Sequence, residues 1–194
     1  KYSLSFDNGI FKLFFGFALP FALAGIISRL YSYSDSLIMS KMLGPQELGW
    51  WSVPYKITFA FQFIPMALSA SVYPVMSGLF LDQKEKIGEL FLKSCRYLFT
   101  IVFTLTFGLV ALATPIIIKL YKPQFAPAIP VLRILLVSLI FGYLGFITGA
   151  TLNATYRQKV QSSLLAVALI INIITFLILL PKIGIFGAAF SALF

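Results

Sequence analysis

Long apolar stretches separated by short clusters of charge organise the chain. No Lys, Arg, Asp or Glu occurs within Ile57–Leu81, Tyr97–Ile118, Ile134–Tyr156 or Val160–Pro181. Each run exceeds the roughly 18 to 20 residues that a helix needs to cross about 30 Å of hydrocarbon. Apolar residues are near continuous within the runs, whereas barrel strands would be shorter and alternate apolar with polar. The pattern predicts an all-α, polytopic transmembrane helix bundle. A first helix is expected over about Phe11–Met42, a second over Gly49–Leu81, a third over Leu92–Ile118, a fourth over Ala128–Asn153 and a fifth over Val160–Leu180. A sixth starts near Gly184. Gly44-Pro45 marks a turn, and Asp82–Lys86 reads as a solvated connection. Pro20, Pro65 and Pro74 fall inside predicted helices, where a missing N–H and a ring clash kink or break the ladder.

The termini point to a fragment, incomplete at both ends. The chain opens on Lys1 rather than Met, and Phe194 comes only twelve residues into an apolar run that starts at Ile183. The N-terminal apolar run has no small-residue cleavage site followed by a polar region, so it is not read as a secretory signal.

Composition agrees with the pattern. The hydrophobic fraction is 60%, the charged fraction 11% and the mean hydropathy +0.96, where soluble domains carry about 25% charged residues. The net charge of +9 sits mainly between the apolar runs, so it argues for membrane topology rather than nucleic acid, which would need an exposed basic stripe. Lys1, Lys12, Lys84, Lys86, Lys93, Arg96, Arg157 and Lys159 fall on one side, against Lys41, Lys119, Lys122 and Lys182 on the other. The positive-inside bias therefore predicts a cytoplasmic N-terminus for this chain. Cys95 is the single cysteine and there is no histidine. An intramolecular disulfide is impossible, zinc-type sites are excluded and no cofactor is expected.

The stretch GIISRLYSYSDSLIMSKMLG, residues 25–44, puts ionisable groups inside a membrane-like run. On a helix of roughly 100° per residue, Arg29, Ser36, Ser32, Ser28 and Asp35 share an arc of about 120°. Ile26, Ile27, Leu30, Leu37 and Ile38 take the opposite side. A wet cavity or a partner is what makes such a face tolerable at bilayer depth. Arg29 and Asp35 are six residues apart, so they do not pair along one regular helix. Arg29 suits a phosphate, whose geometry a guanidinium matches bidentately, and Asp35 suits orienting a basic group or coupling a cation. The competing role for both is an interhelical ion pair. Lys56 and Gln62, near the start of the second helix, are candidates for the same cavity. Lys56 also has the option of snorkelling to the interface, as does Arg133. Asn153 and Asn172 are candidates for interhelical hydrogen bonds.

Five stretches carry a resemblance. They are DSLIMSKMLGPQELGWWSVPYKI at 35–57, FIPMALSASVYPVMS at 63–77, IIIKLYKPQFAPAIPVLRIL at 116–135, LNATYRQK at 152–159 and LLPKIGIFGAAFSAL at 179–193. In this order and spacing the chain resembles the second half of the polysaccharide (O-antigen, lipid-linked oligosaccharide) flippases of the multidrug/oligosaccharidyl-lipid/polysaccharide exporter superfamily. It departs from them at Lys122-Pro123, where a glycine is usual.

The resemblance implies a fold of two six-helix lobes around a central cavity. Residues 1–194 would then be most of the second, C-terminal lobe, with about five complete transmembrane helices and the start of a sixth, and with the first lobe absent. It also implies alternating-access flipping of a polyprenyl-diphosphate-linked oligosaccharide across a prokaryotic inner membrane, with no bond made or broken. The implied partners are the bilayer, that substrate, the missing N-terminal lobe and polysaccharide assembly enzymes, and not nucleic acid. Arg29 would meet the diphosphate. Tyr31, Tyr33, Trp50, Trp51 and Tyr55 would meet sugars, unless they form an interfacial belt. No GxxxxGK[ST] occurs. Alternatives are a multidrug or cation-coupled exporter, a flippase of lipid-linked peptidoglycan precursor, a membrane-embedded glycan polymerase or transferase, and a structural scaffold. The first would favour acidic cavity residues, and the polymerase would need catalytic groups in large outer loops, whereas the loops here are short and His-free.

Overall fold

The computed structural model describes residues 38–193, and the chain divides into two compact units between Gly44 and Pro45. In the first unit, residues 38–42 are helical and the Leu43 N–H bonds the Met39 carbonyl at 2.8 Å. The second unit is a bundle of six α-helices. They are α1 (Pro45–Ala60), α2 (Phe63–Asp82), α3 (Glu85–Tyr121), α4 (Ala128–Ala154), α5 (Gln158–Ile183) and α6 (Ile185–Ser191), with a 3-10 turn at Pro123–Phe125. Four segments are long and apolar enough to cross a membrane: Pro45–Asp82, Glu85–Tyr121, Ala128–Ala154 and Gln158–Ile183. The first predicted helix lies outside the described residues except at its end.

The differences from the predicted boundaries have physical causes. The second helix starts at Pro45 rather than Gly49, because proline is pre-organised for the first helical position and needs no N–H there. It is interrupted at Phe61–Gln62, four residues before Pro65. Pro65 has no N–H to offer the Phe61 carbonyl, and its ring crowds that carbonyl. The predicted solvated connection Asp82–Lys86 shrinks to Gln83 and Lys84, since α3 begins at Glu85. Charged residues are compatible with a helix that extends past the hydrocarbon. Here Glu85 sits favourably in the first turn of α3, at the positive end of its dipole.

Helix α4 is the centre, packing against α1, α2, α3, α5 and α6. Its buried positions Ala128, Val131, Leu132, Leu135, Leu136, Leu139, Tyr143, Ile147, Ala150 and Ala154 follow helical spacing. Facing them on α3 are Cys95, Leu98, Val102, Ala113 and Ile117, part of one continuous core with Val53 and Met76. The Thr106 hydroxyl on α3 donates to the Leu136 carbonyl at 3.1 Å, a buried polar link within that seam. Helix α5 buries only Phe176 and Leu180 and turns Leu164, Leu165, Ile170, Ile171, Ile174 and Ile178 outward. Outward apolar residues are what a lipid-facing helix requires.

The connections fall at two ends of this unit. The α2–α3 and α4–α5 links share one end, where Phe80 and Tyr156 meet. At the other end the Trp50 indole N–H donates to the Gln124 carbonyl at 2.9 Å, joining the start of α1 to the 3-10 turn. Lys84 and Arg157 thus lie at the first end and Lys122 at the second, as their places in the sequence predicted. Lys122 adopts φ 72°, ψ 163°. That region is sparsely open to residues with a Cβ, so the backbone is strained at the position where the chain departs from the family it resembles.

The last link relies on two glycines. Gly184 takes φ 59°, ψ −139° between α5 and α6. Gly187 then lies so close to α5 that a Cβ would come within 2.5 Å of the Leu179 carbonyl oxygen and 2.8 Å of the Leu180 nitrogen. Ala188 and Ala189 beside it are buried, and the Asn172 amide donates to the Ser191 carbonyl at 2.9 Å. Asn172 is therefore an interhelical hydrogen-bonding residue, as its type and depth suggested.

Candidate functional site

Of the residues singled out for a hydrated path, Arg29, Asp35, Ser28, Ser32 and Ser36 lie outside the described residues. Lys56 and Gln62 are described. Lys56 is exposed on the last turns of α1, and Gln62 is half-buried in the break between α1 and α2. Gln62 thus stands in the interruption itself, six residues after Lys56.

The break is built from hydrogen bonds that shift from the α-helical to the tighter 3-10 pattern. The Phe61 N–H reaches the Thr58 carbonyl and the Gln62 N–H the Phe59 carbonyl, both at 3.1 Å. After Pro65 the α pattern resumes, with the Met66 N–H on the Gln62 carbonyl at 3.2 Å. The Thr58 hydroxyl, buried, is shared between the Pro54 and Tyr55 carbonyls at 3.0 Å each. This proline-set turn fixes where the Gln62 amide stands.

The Phe61 carbonyl, deprived of a partner by Pro65, is satisfied from across the bundle. The Tyr143 hydroxyl on α4 donates to it at 2.7 Å, and the Ile64 N–H adds a longer contact at 3.3 Å. Tyr143 is 1% exposed, among the most buried side chains. A buried carbonyl without a partner costs about 1–3 kcal/mol, and intramembrane hydrogen bonds are worth roughly 0.6–2 kcal/mol. Tyr143→Phe is therefore expected to lower stability by about 1–2 kcal/mol. In a Pro65→Ala background the restored N–H would take over the carbonyl, so the same substitution would cost less. A double-mutant cycle read by thermal unfolding in detergent checks this, and purely additive effects would remove the proposed link. Tyr143 went unrecognised in the sequence. Its only signal was the carbonyl that Pro65 leaves without a partner, and the sequence does not say which helix answers it.

The aromatic candidates divide. Trp51 is 2% exposed and belongs to the core. It starts a stacked ladder with Tyr55 and Phe59, whose ring centroids are 6.2 and 6.1 Å apart in turn. Tyr55 and Phe59 are exposed. Trp50 is occupied with the Gln124 carbonyl. Arg133 is exposed and donates to the Thr114 hydroxyl at 3.3 Å, joining α4 to α3.

Chemically, the described part offers a kinked helix pair with one cation, one amide and an exposed aromatic edge. Among the described residues no group of His, Cys, Asp and Glu is arranged to hold a metal ion.

Comparison with known proteins supplies independent findings. The family model described as "Polysaccharide biosynthesis protein" matches residues 1–130. A protein of Shigella flexneri named "Putative O-antigen transporter" is 24% identical over 186 residues, covering 93% of this chain and 43% of that protein. An uncharacterised membrane protein of Methanocaldococcus jannaschii is 22% identical over 196 residues, covering 100% of this chain and 39% of that protein. The chain thus spans about two fifths of the length of these relatives. No solved structure matches it.

Proposed function

The chain belongs to the polysaccharide biosynthesis protein family, and from that premise we propose that it forms part of a flippase for polyprenyl-diphosphate-linked oligosaccharides. The family match and the likeness to a protein named as a putative O-antigen transporter support a membrane transporter role, and four segments long and apolar enough to cross a membrane support a multi-pass membrane protein. The observation that carries the finer reading is the polar arc of residues 28–36 within a family-matched membrane run. A carrier lipid bearing a diphosphate and a sugar chain needs a path that is cationic in one place and polar along its length. Arg29 supplies the first, and Ser28, Ser32, Ser36 and Asp35 supply the second, with Lys56 and Gln62 extending the path on the neighbouring helix pair. Asp35 is the one acid on that arc against Arg29 and Lys56, a balance that favours an anionic over a cationic cargo.

Transport requires no bond to be made, only that two lobes rock about the cavity so that each leaflet is reached in turn. The N-terminus of this chain is assigned to the cytoplasmic side on loop charge, and the remaining helices of the cavity are assigned to a preceding lobe. The proposal makes a direct prediction. Depleting the intact protein in its host lowers surface polysaccharide while the lipid-linked oligosaccharide accumulates on the cytoplasmic face, where an added glycosidase or lectin reaches it only after the membrane is opened. Unchanged surface polysaccharide, or loss of efflux of cationic compounds with polysaccharide intact, would exclude it.

A further inference from the structure

A cavity of about 360 Å³ opens where the α2–α3 and α4–α5 links meet. It is lined by Phe80, Lys84, Ile87, Gly88, Thr151, Leu152, Thr155 and Arg157. None of these residues belongs to the transport path proposed above. We propose that this cavity binds the phosphate of an anionic phospholipid headgroup.

Charge and position both favour that ligand. Two cations line the cavity and no carboxylate does. Lys84 and Arg157 are each exposed, and the Lys84 ammonium is held 4.8 Å over the Phe80 ring, so it stays at the rim rather than extending into solvent. Arg157 presents the planar fork that fits phosphate oxygens in pairs. The N-terminal end of α5, next to Arg157, adds partial positive charge of the same sense, whereas that of α3 is already met by Glu85 in its first turn. Both hydroxyls are already engaged as donors, Thr151 to Ile147 and Thr155 to Thr151, leaving their lone pairs to orient water or the headgroup glycerol.

The cavity also has two faces of different character. Phe80, Ile87 and Leu152 give an apolar side at the end of the membrane-spanning segments, where glycerol and the first acyl carbons of a lipid lie. Tyr156 packs on Phe80 with ring centroids 5.7 Å apart, an aromatic pair at headgroup level. A soluble phosphate would have no use for that side. Basic pockets between transmembrane helices are a general means of holding lipid headgroups.

The test measures binding without transport, so its outcome is separate from that of the flippase reading. The intact protein in detergent is titrated with phosphatidylglycerol, phosphatidylcholine or a polyprenyl monophosphate, and retained lipid is counted by native mass spectrometry. Phosphatidylglycerol is expected to be retained on the order of tenfold better than phosphatidylcholine. Lys84→Gln with Arg157→Gln should abolish that preference. Gly88→Glu should abolish it too while leaving both cations in place, because the Gly88 Cβ position is open and a carboxylate there would repel the phosphate. Equal retention of the two phospholipids, or an unchanged preference in both variants, would overturn the proposal. Preferential retention of the polyprenyl monophosphate, lost in the same variants, would overturn the assignment to a bulk phospholipid in favour of the carrier.

Discussion

Gly187→Ala is expected to undo the docking of α6 on α5, at a cost of about 3 kcal/mol, the upper range for forced overpacking. The argument is one of distance. The added methyl would sit within 2.8 Å of backbone atoms of Leu179 and Leu180. Backbone in the last turn of α5 has no rotamer to change, so relief requires α6 to move. That movement would also take the Ser191 carbonyl away from the Asn172 amide, 2.9 Å in the native packing. Van der Waals contact between small residues is the main attraction between helices in lipid, where burial of apolar surface contributes little. Losing it therefore leaves little to hold the pair. Gly78→Ala on α2 is the control, since nothing lies within 4 Å of its added Cβ and alanine is the better helix former by about 1 kcal/mol. Thermal unfolding of the intact protein in detergent should fall for Gly187→Ala and stay level or rise for Gly78→Ala. Equal behaviour of the two would show that the close approach does not hold the helices together.

Much of this arrangement is legible in the sequence. Uninterrupted apolar runs locate membrane helices because hydrocarbon admits no unpaired backbone, so α3, α4 and α5 stand where their runs stand. The kink at Pro65 was also readable, since a proline in mid-helix always removes one bond. What failed were the ends. Glu85 and Lys86 read as loop, yet they are helical, because a helix that has left the hydrocarbon is free to carry charge. Proline at position 45 read as a turn and instead opens α1. Features that depend on two distant segments meeting were not readable at all. The Tyr143–Phe61 bond and the cavity between Lys84 and Arg157 exist only because α4 lies beside the α1–α2 and α2–α3 junctions. The glycines of IGIFGAA marked a resemblance in the sequence, and the fold gives each a physical reason, one a positive φ and the other a close approach. Of the candidate path, Lys56 is exposed before the break and Gln62 half-buried within it, and the arc of residues 28–36 rests on its helical periodicity alone.

That arc is where the second large effect is expected. Replacing Arg29 by alanine, glutamine or lysine should leave the intact protein at normal abundance in the membrane and slow surface polysaccharide export severely in all three variants. A guanidinium at mid-membrane costs about 2.5–3.5 kcal/mol on insertion scales, so removing it should ease insertion rather than hinder it, unless a buried partner is left charged and alone. Asp35 is the acid nearest in sequence, but six residues along a regular helix puts it on another turn and roughly 120° away. The lysine variant separates charge from geometry. It keeps the positive charge but offers a single point donor where a diphosphate meets a two-pronged fork. Loss of a bidentate, charge-assisted contact worth about 1.5–3 kcal/mol corresponds to roughly a ten- to hundredfold slower export. Rescue by lysine would reduce the requirement to charge alone. Normal export in all three would return Arg29 to helix packing, and a fall in abundance matched by export would give it the same structural role. Only loss of export at full abundance, without rescue by lysine, fits a residue that holds the travelling phosphate.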